Sequence, residues 1–229
     1  MKNQLLCIAC ASITVLSSAA TADEWISEDA PSWRGTDGSS YYLWDTFTSA
    51  NGYVDGPNFP NNEAWPSGDA MLFNFSDDAV ISGPGNIYGF GGPLNIHTYA
   101  YTQADALAAT INIAALGSEI NYGAMMLAWT DGIEGGASGV VFGDMSMNYW
   151  EEVDFGMGVG AQVNVSWNWD LSGIDADVRE LAIIFGGTAP HMSLDMVGLD
   201  VLTAVPAPSA LALLALCGCG GSGRRRRRA

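Results

Sequence analysis

The residues Val163-Asn164-Val165-Ser166-Trp167-Asn168-Trp169 alternate apolar and polar without a break. A helix would spread those apolar side chains around its whole circumference. A strand sends successive side chains to opposite faces, so a period of two predicts a strand with one face in a core. Shorter runs of β-branched, aromatic and aliphatic residues recur along the chain at 41–47, 70–75, 95–101, 107–113, 124–130, 140–142, 150–155, 162–171, 180–185 and 192–202. Turn signals separate them: Asn51-Gly52, residues 57–62, residues 82–85 and the glycine-rich 89–92. The stretch 104–116 is rich in Ala and Leu and would also suit a helix. Its Ile111-Asn112-Ile113 alternation inclines it to a strand. No internal repeat of fixed period is present, and residues 23–38 read as an extended lead-in.

About ten short strands with glycine-rich turns predict an all-β fold, an antiparallel β-sandwich of jelly-roll-like type. Residues 23–204 are long enough for one domain with a sizeable core. All four cysteines, Cys7, Cys10, Cys217 and Cys219, fall outside that span. The domain therefore has no disulfide, no thiolate metal site and no thiol nucleophile, and its stability must come from packing.

The charge is lopsided. The full chain carries −17, and all 25 acidic residues lie within 23–204, where only Arg34 and Arg179 oppose them, giving −23. Such a surface repels nucleic acid and anionic lipid headgroups. It also raises the question of a divalent cation. Asp170, Asp175, Asp177 and Glu180 gather around Gly173, and oxygen ligands at close spacing suit calcium. Their spacing lacks the EF-hand pattern, so the expectation is a solvated acidic turn and no cofactor.

The two ends carry signals of another kind. Residues 1–22 combine Lys2, an apolar run over 5–16 and a small-residue close at Ala20-Thr21-Ala22, the order of a secretory signal peptide cleaved after Ala22. Residues 205–229 read Val205-Pro206-Ala207-Pro208-Ser209, then an apolar segment at 210–219, then Arg224, Arg225, Arg226, Arg227 and Arg228. The prolines stop the preceding strand. The apolar segment is short for a helix crossing a hydrocarbon core of about 30 Å. Five arginines make a cytoplasmic stop by the positive-inside rule. This three-part order resembles the PEP-CTERM class of bacterial sorting signals, with Pro206 and Pro208 on the family's proline positions and Ala207 in place of its glutamate. The resemblance implies recognition by an exosortase-like membrane enzyme after secretion, a transient membrane anchor, and delivery to the cell envelope, outer surface or extracellular matrix.

Within the domain, Trp33-Arg34-Gly35, the 41–47 run and Ser193-Leu194-Asp195-Met196-Val197-Gly198-Leu199-Asp200 resemble a lineage of sorted extracellular jelly-roll domains in which such a final strand leads into the tail. Glu152-Val153-Asp154-Phe155 resembles part of the Glu-x-Asp-x-x-Glu strand of laminarinase-like glycosidases. Retaining hydrolysis needs two carboxyls about 5 Å apart. Gly156 and Met157 stand where the second glutamate would fall, and Glu151 is expected on the face opposite Glu152. His97 and His191 are the only histidines, and no Gly-x-Ser-x-Gly, HExxH or phosphate loop occurs. The eight tryptophans suggest a carbohydrate surface, since flat indoles stack on sugar rings. Trp25, Trp33, Trp44 and Trp65 lie nearer turns or termini and are expected outside; Trp167 and Trp169 share a face with Val163 and Val165 and are expected in the core. The expectation is a non-catalytic exported protein with a structural or interaction role, with extracellular polysaccharide as a partner. A carbohydrate-binding module is the alternative, and a degenerate laminarinase-like glycosidase the third reading.

Overall fold

The computed structural model describes residues 29–62, 68–155 and 158–205. The signal segment with Ala20 and Ala22, Trp25, Trp65, and the tail from Pro206 through Arg228 lie outside the described residues.

Among the described residues twelve strands form in chain order: β1 Ser39–Trp44, β2 Ala70–Asn74, β3 Ala79–Ile81, β4 Ile87–Gly89, β5 Asn95–Tyr101, β6 Ala106–Gly117, β7 Met126–Thr130, β8 Ser138–Val141, β9 Asp144–Asp154, β10 Val159–Asp170, β11 Glu180–Gly186 and β12 Met192–Thr203. One 3-10 turn, Tyr122–Ala124, precedes β7. The strands build two antiparallel sheets. The seven-stranded sheet runs β3-β4-β12-β6-β10-β9, with β1 also on β12; the five-stranded sheet runs β2-β5-β11-β7-β8. Only β3–β4, β7–β8 and β9–β10 are hairpins; every other connection crosses between sheets, which is the jelly-roll-like habit of the sandwich.

The alternating patterns drive this arrangement. On β10, Val163, Val165, Trp167 and Trp169 all turn into the core, as their period required. They meet Ile111 and Ile113 of β6, and Leu127, Leu181 and Ile183 of the opposite sheet. The 104–116 stretch is a strand throughout its described course from Ala106, because tertiary pairing with β10 and β12 outweighs the helix preference of its alanines. Two of the polar alternates of β10 are withdrawn from the open surface. Asn164 and Ser166 are buried, and the Asn148 amide donates to Asn164 Oδ1 at 3.1 Å and Ser166 Oγ at 3.4 Å. Thr110, Asn112 and Asp200 are buried on the same sheet face.

Strand β12 has an unusual edge. Leu194 faces Ala115 and Met196 faces Ala114, so Asp195 is the extra residue of a β-bulge. Beyond it, β4 pairs with Ser193 and Leu194, whereas β1 pairs with residues Val197 to Leu202. Two short strands thus share one side of β12 and meet at the bulge.

The structure corrects the placing of Trp44. It is fully buried, and its indole N–H donates to the Asn58 carbonyl at 3.0 Å. Proximity to turns does not expose it, because β1 is paired along a long central strand and Trp44 faces inward beside Phe47. Trp33 is half-buried.

Candidate functional site

Strand β9 is the long edge of the seven-stranded sheet, and nearly every residue in it is exposed. Its pairing with β10 slips between Asn164 and Val165, so Met147 faces Val165 and Trp150 faces Val163. Asn148 is the bulged residue, and the bulge keeps both Met147 and Trp150 on the core-facing side. The second sheet ends at β8 and leaves that side of β9 open. Met145, Met147 and Trp150 are 48%, 40% and 49% exposed there, on a side where the neighbouring strand is fully buried.

Trp150 is held in place from the edge of its ring. Its indole N–H donates to Glu119 Oε1 at 2.8 Å. Glu119 lies just after β6, and its backbone carbonyl accepts the Thr188 N–H at 2.8 Å and the Thr188 hydroxyl at 3.1 Å. The turn begins at Gly117, whose φ of +98° suits glycine and whose missing Cβ would lie 2.1 Å from the His191 carbonyl oxygen. Glu152 projects two residues beyond Trp150 on the same side, facing Ala161. The result is an open cleft of about 280 Å³ lined by Ser118, Glu119, Trp150, Glu152, Gly160 and Thr188, among others. Nearby, Tyr122 stacks on Trp167 with centroids 6.3 Å apart. Burial, and then the charge of Glu119, push its hydroxyl up to about 12, so it stays protonated at neutral pH.

An indole face beside two carboxylates offers an apolar platform with hydrogen-bond acceptors at its rim. Such a combination suits a ligand that has one flat C–H face and several hydroxyl donors. Sequence reading missed this cleft. The run at 150–155 marks a strand but not which of its faces turns to the core, and coverage by the other sheet and the contact with Glu119, 31 residues earlier, have no local signature.

A second uncovered surface lies on the outside of the five-stranded sheet. Phe73 and Phe75 stack at 5.5 Å, Tyr53 packs on Phe75 at 4.8 Å, and Tyr99 meets Phe73 edge-on at 5.8 Å. His97 belongs to this cluster, half-buried, 4.8 Å from Phe75 and with Tyr99 Oη at 3.3 Å and Asn95 Oδ1 at 3.1 Å. Burial lowers its pKa, which favours the neutral ring. His191 lies in the loop just before β12, away from this cluster, with its Nδ1 2.8 Å from Tyr88 Oη.

The four acidic residues around Gly173 are not brought to one point. Asp170 accepts the Ser172 hydroxyl at 2.6 Å and its N–H at 3.0 Å, and these bonds lower its pKa. Asp175 is exposed. Asp177 pairs with Arg179 at 2.9 Å on the surface, and Glu180 accepts the Thr130 hydroxyl at 2.9 Å. Among the described residues, no group of three or more His, Cys, Asp or Glu side chains is arranged to hold a metal ion. Glu151 and Glu152 do face opposite sides of β9, opposite Gln162 and Ala161 respectively. Among the described residues no helix is long and apolar enough to cross a membrane.

No protein-family model matches the chain, and no curated protein matches it.

Proposed function

We propose that the chain is a non-catalytic exported protein, sorted to the cell envelope or to an extracellular polysaccharide matrix, in which the sandwich serves as an interaction domain. The observation that carries this reading is the order of parts after β12. The final strand ends at Thr203, and the Val205-Pro206-Ala207-Pro208-Ser209 motif, the apolar segment and the five arginines follow at once. Folded domain and sorting tail are thereby separate in sequence, and a membrane enzyme of the exosortase type could act on one without disturbing the other. In the test, Arg224 through Arg228 are replaced by alanine in the native host and the C terminus is read by mass spectrometry. Unprocessed or mislocalised precursor is expected. A mature C terminus and location identical to those of the parent would remove the arginines from the mechanism.

A carbohydrate-binding role is the second reading, and the half-exposed Trp150 in its acidic cleft is the observation that favours it. The laminarinase-like reading has less support, since the Glu152-Val153-Asp154 strand is followed by Gly156 and Met157 in place of the motif's second glutamate.

A further inference from the structure

We infer that the cleft between the Gly117–Glu119 turn and the β9–β10 hairpin binds a glycan chain free of acidic groups, with Trp150 as the stacking platform and the Glu119 and Glu152 carboxylates as acceptors for its hydroxyls. This rests on the carbohydrate-binding reading above and assigns it a place and a ligand class.

Three features on the molecule converge on this. First, the platform is fixed before any ligand arrives. The indole of Trp150 is tied at its N–H to Glu119, whose backbone is in turn tied to Thr188. A ring already held in place loses less freedom on binding. Second, the floor of the cleft is closed by a close approach that only glycine permits. A Cβ on Gly160 would lie 2.5 Å from the Gly117 carbonyl oxygen and 2.8 Å from the Phe155 ring, so the hairpin and the Gly117 turn meet there without a side chain from residue 160. Third, the rim presents acceptors. The Ser118 hydroxyl donates to the Pro190 carbonyl and the Thr188 hydroxyl to that of Glu119, which commits both donors to backbone. The carboxylates of Glu119 and Glu152 accept only, and sugar hydroxyls are donors that match them.

The same charges decide against the acidic polysaccharides. A uronate or sulfate would meet two local carboxylates on a chain of net charge −17. Neutral sugars, and sugars bearing a free amine, meet no such barrier.

The test uses the full chain and three soluble polymers: a neutral β-glucan, chitosan and alginate, with binding read by affinity electrophoresis at fixed ionic strength. Retardation by the β-glucan or chitosan and none by alginate is expected. Trp150→Ala should weaken that binding at least about tenfold and Glu152→Gln severalfold, the latter with an unchanged melting temperature because Glu152 is exposed on an edge strand, and both with cooperative unfolding retained. Binding that survives Trp150→Ala would overturn this placing of the site and leave the carbohydrate reading intact. No retardation of the parent protein by any of the three would overturn both. Preference for alginate would overturn the ligand class. Release of reducing ends from the β-glucan, lost in Glu152→Gln, would replace a binding site by a catalytic one.

Discussion

At the scale of single residues, two carboxylates in β12, Asp200 buried and Asp195 half-buried, show how differently an acid withdrawn from solvent can be managed. Asp200 is 1% exposed and answered directly. Arg34 reaches it with two nitrogens, Nε to Oδ1 at 2.6 Å and Nη2 to Oδ2 at 2.7 Å. The same guanidinium lies 3.8 Å over the centroid of Tyr41, the residue paired with Asp200 across the sheet. A bidentate pair over an aromatic face is the geometry that arginine supports and lysine does not. Arg34→Ala would strand the Asp200 charge, and a loss of about 3–5 kcal/mol in urea unfolding is expected, with Arg34→Lys recovering only part of it. Asp195 is treated otherwise. At the bulge its Oδ1 accepts the Ser193 hydroxyl at 2.7 Å and the Asn86 amide, and among the described residues no arginine or lysine pairs with it. Burial raises its pKa from 3.8 to about 6, against the opposing pull of the Ser193 bond. Because the folded value exceeds the unfolded one, the folded state holds the proton more tightly. Its contribution to stability is therefore full below about pH 4 and is lost as pH rises through about 6. Asp195→Asn should raise the melting temperature at about pH 7.5 and leave it nearly unchanged at about pH 4. Equal shifts at both pH values in calorimetry would show that Asp195 does not titrate in this range.

At the scale of elements, most strands were legible because a half-buried strand writes its burial into alternate residues. The run at 95–101 coincides with β5, and 192–202 with almost all of β12. Strands β3 and β4 were not legible: each has three residues, too few to display a period. Strand β9 was read only from residue 150 onward, although it starts at Asp144. Its first half, Asp144-Met145-Ser146-Met147-Asn148, alternates, but with methionines, which mark a strand less clearly than β-branched residues do. Trp44 was misplaced and Trp150 overlooked for one shared reason. A sequence tells which face of a strand a side chain takes, but not whether another layer lies over that face. The two bulges at Asp195 and Asn148 were equally hidden, since a single extra residue is set by the pairing of two strands. The candidate cleft depends on all of this at once: a bulge, an uncovered edge, and a glutamate contributed by a distant turn.

At the scale of the whole molecule, the charge noted at the outset has a measurable consequence. With −23 over residues 23–204, like charges crowd as the chain folds, and added salt should stabilise the domain by screening. Because Asp170, Asp177 and Glu180 turn to separate partners and Asp175 is exposed, calcium should do little more than sodium at matched ionic strength. A saturable calcium-dependent rise in melting temperature, abolished by Asp175→Ala with Asp177→Ala, would show that these residues do converge on an ion.

The split edge of β12 matters in another way. If the segment after Val205 tethers the protein to a surface, any drag on the body is transmitted along the axis of β12. That strand is not peripheral: β6 grips one side along nearly its whole length, while β1 and β4 grip the other. A pull along such a strand loads its rows of hydrogen bonds sideways and all together, instead of opening them one after another like a zip. Under such a tether β12 would be loaded as a shear joint, the arrangement in which a sheet resists force best.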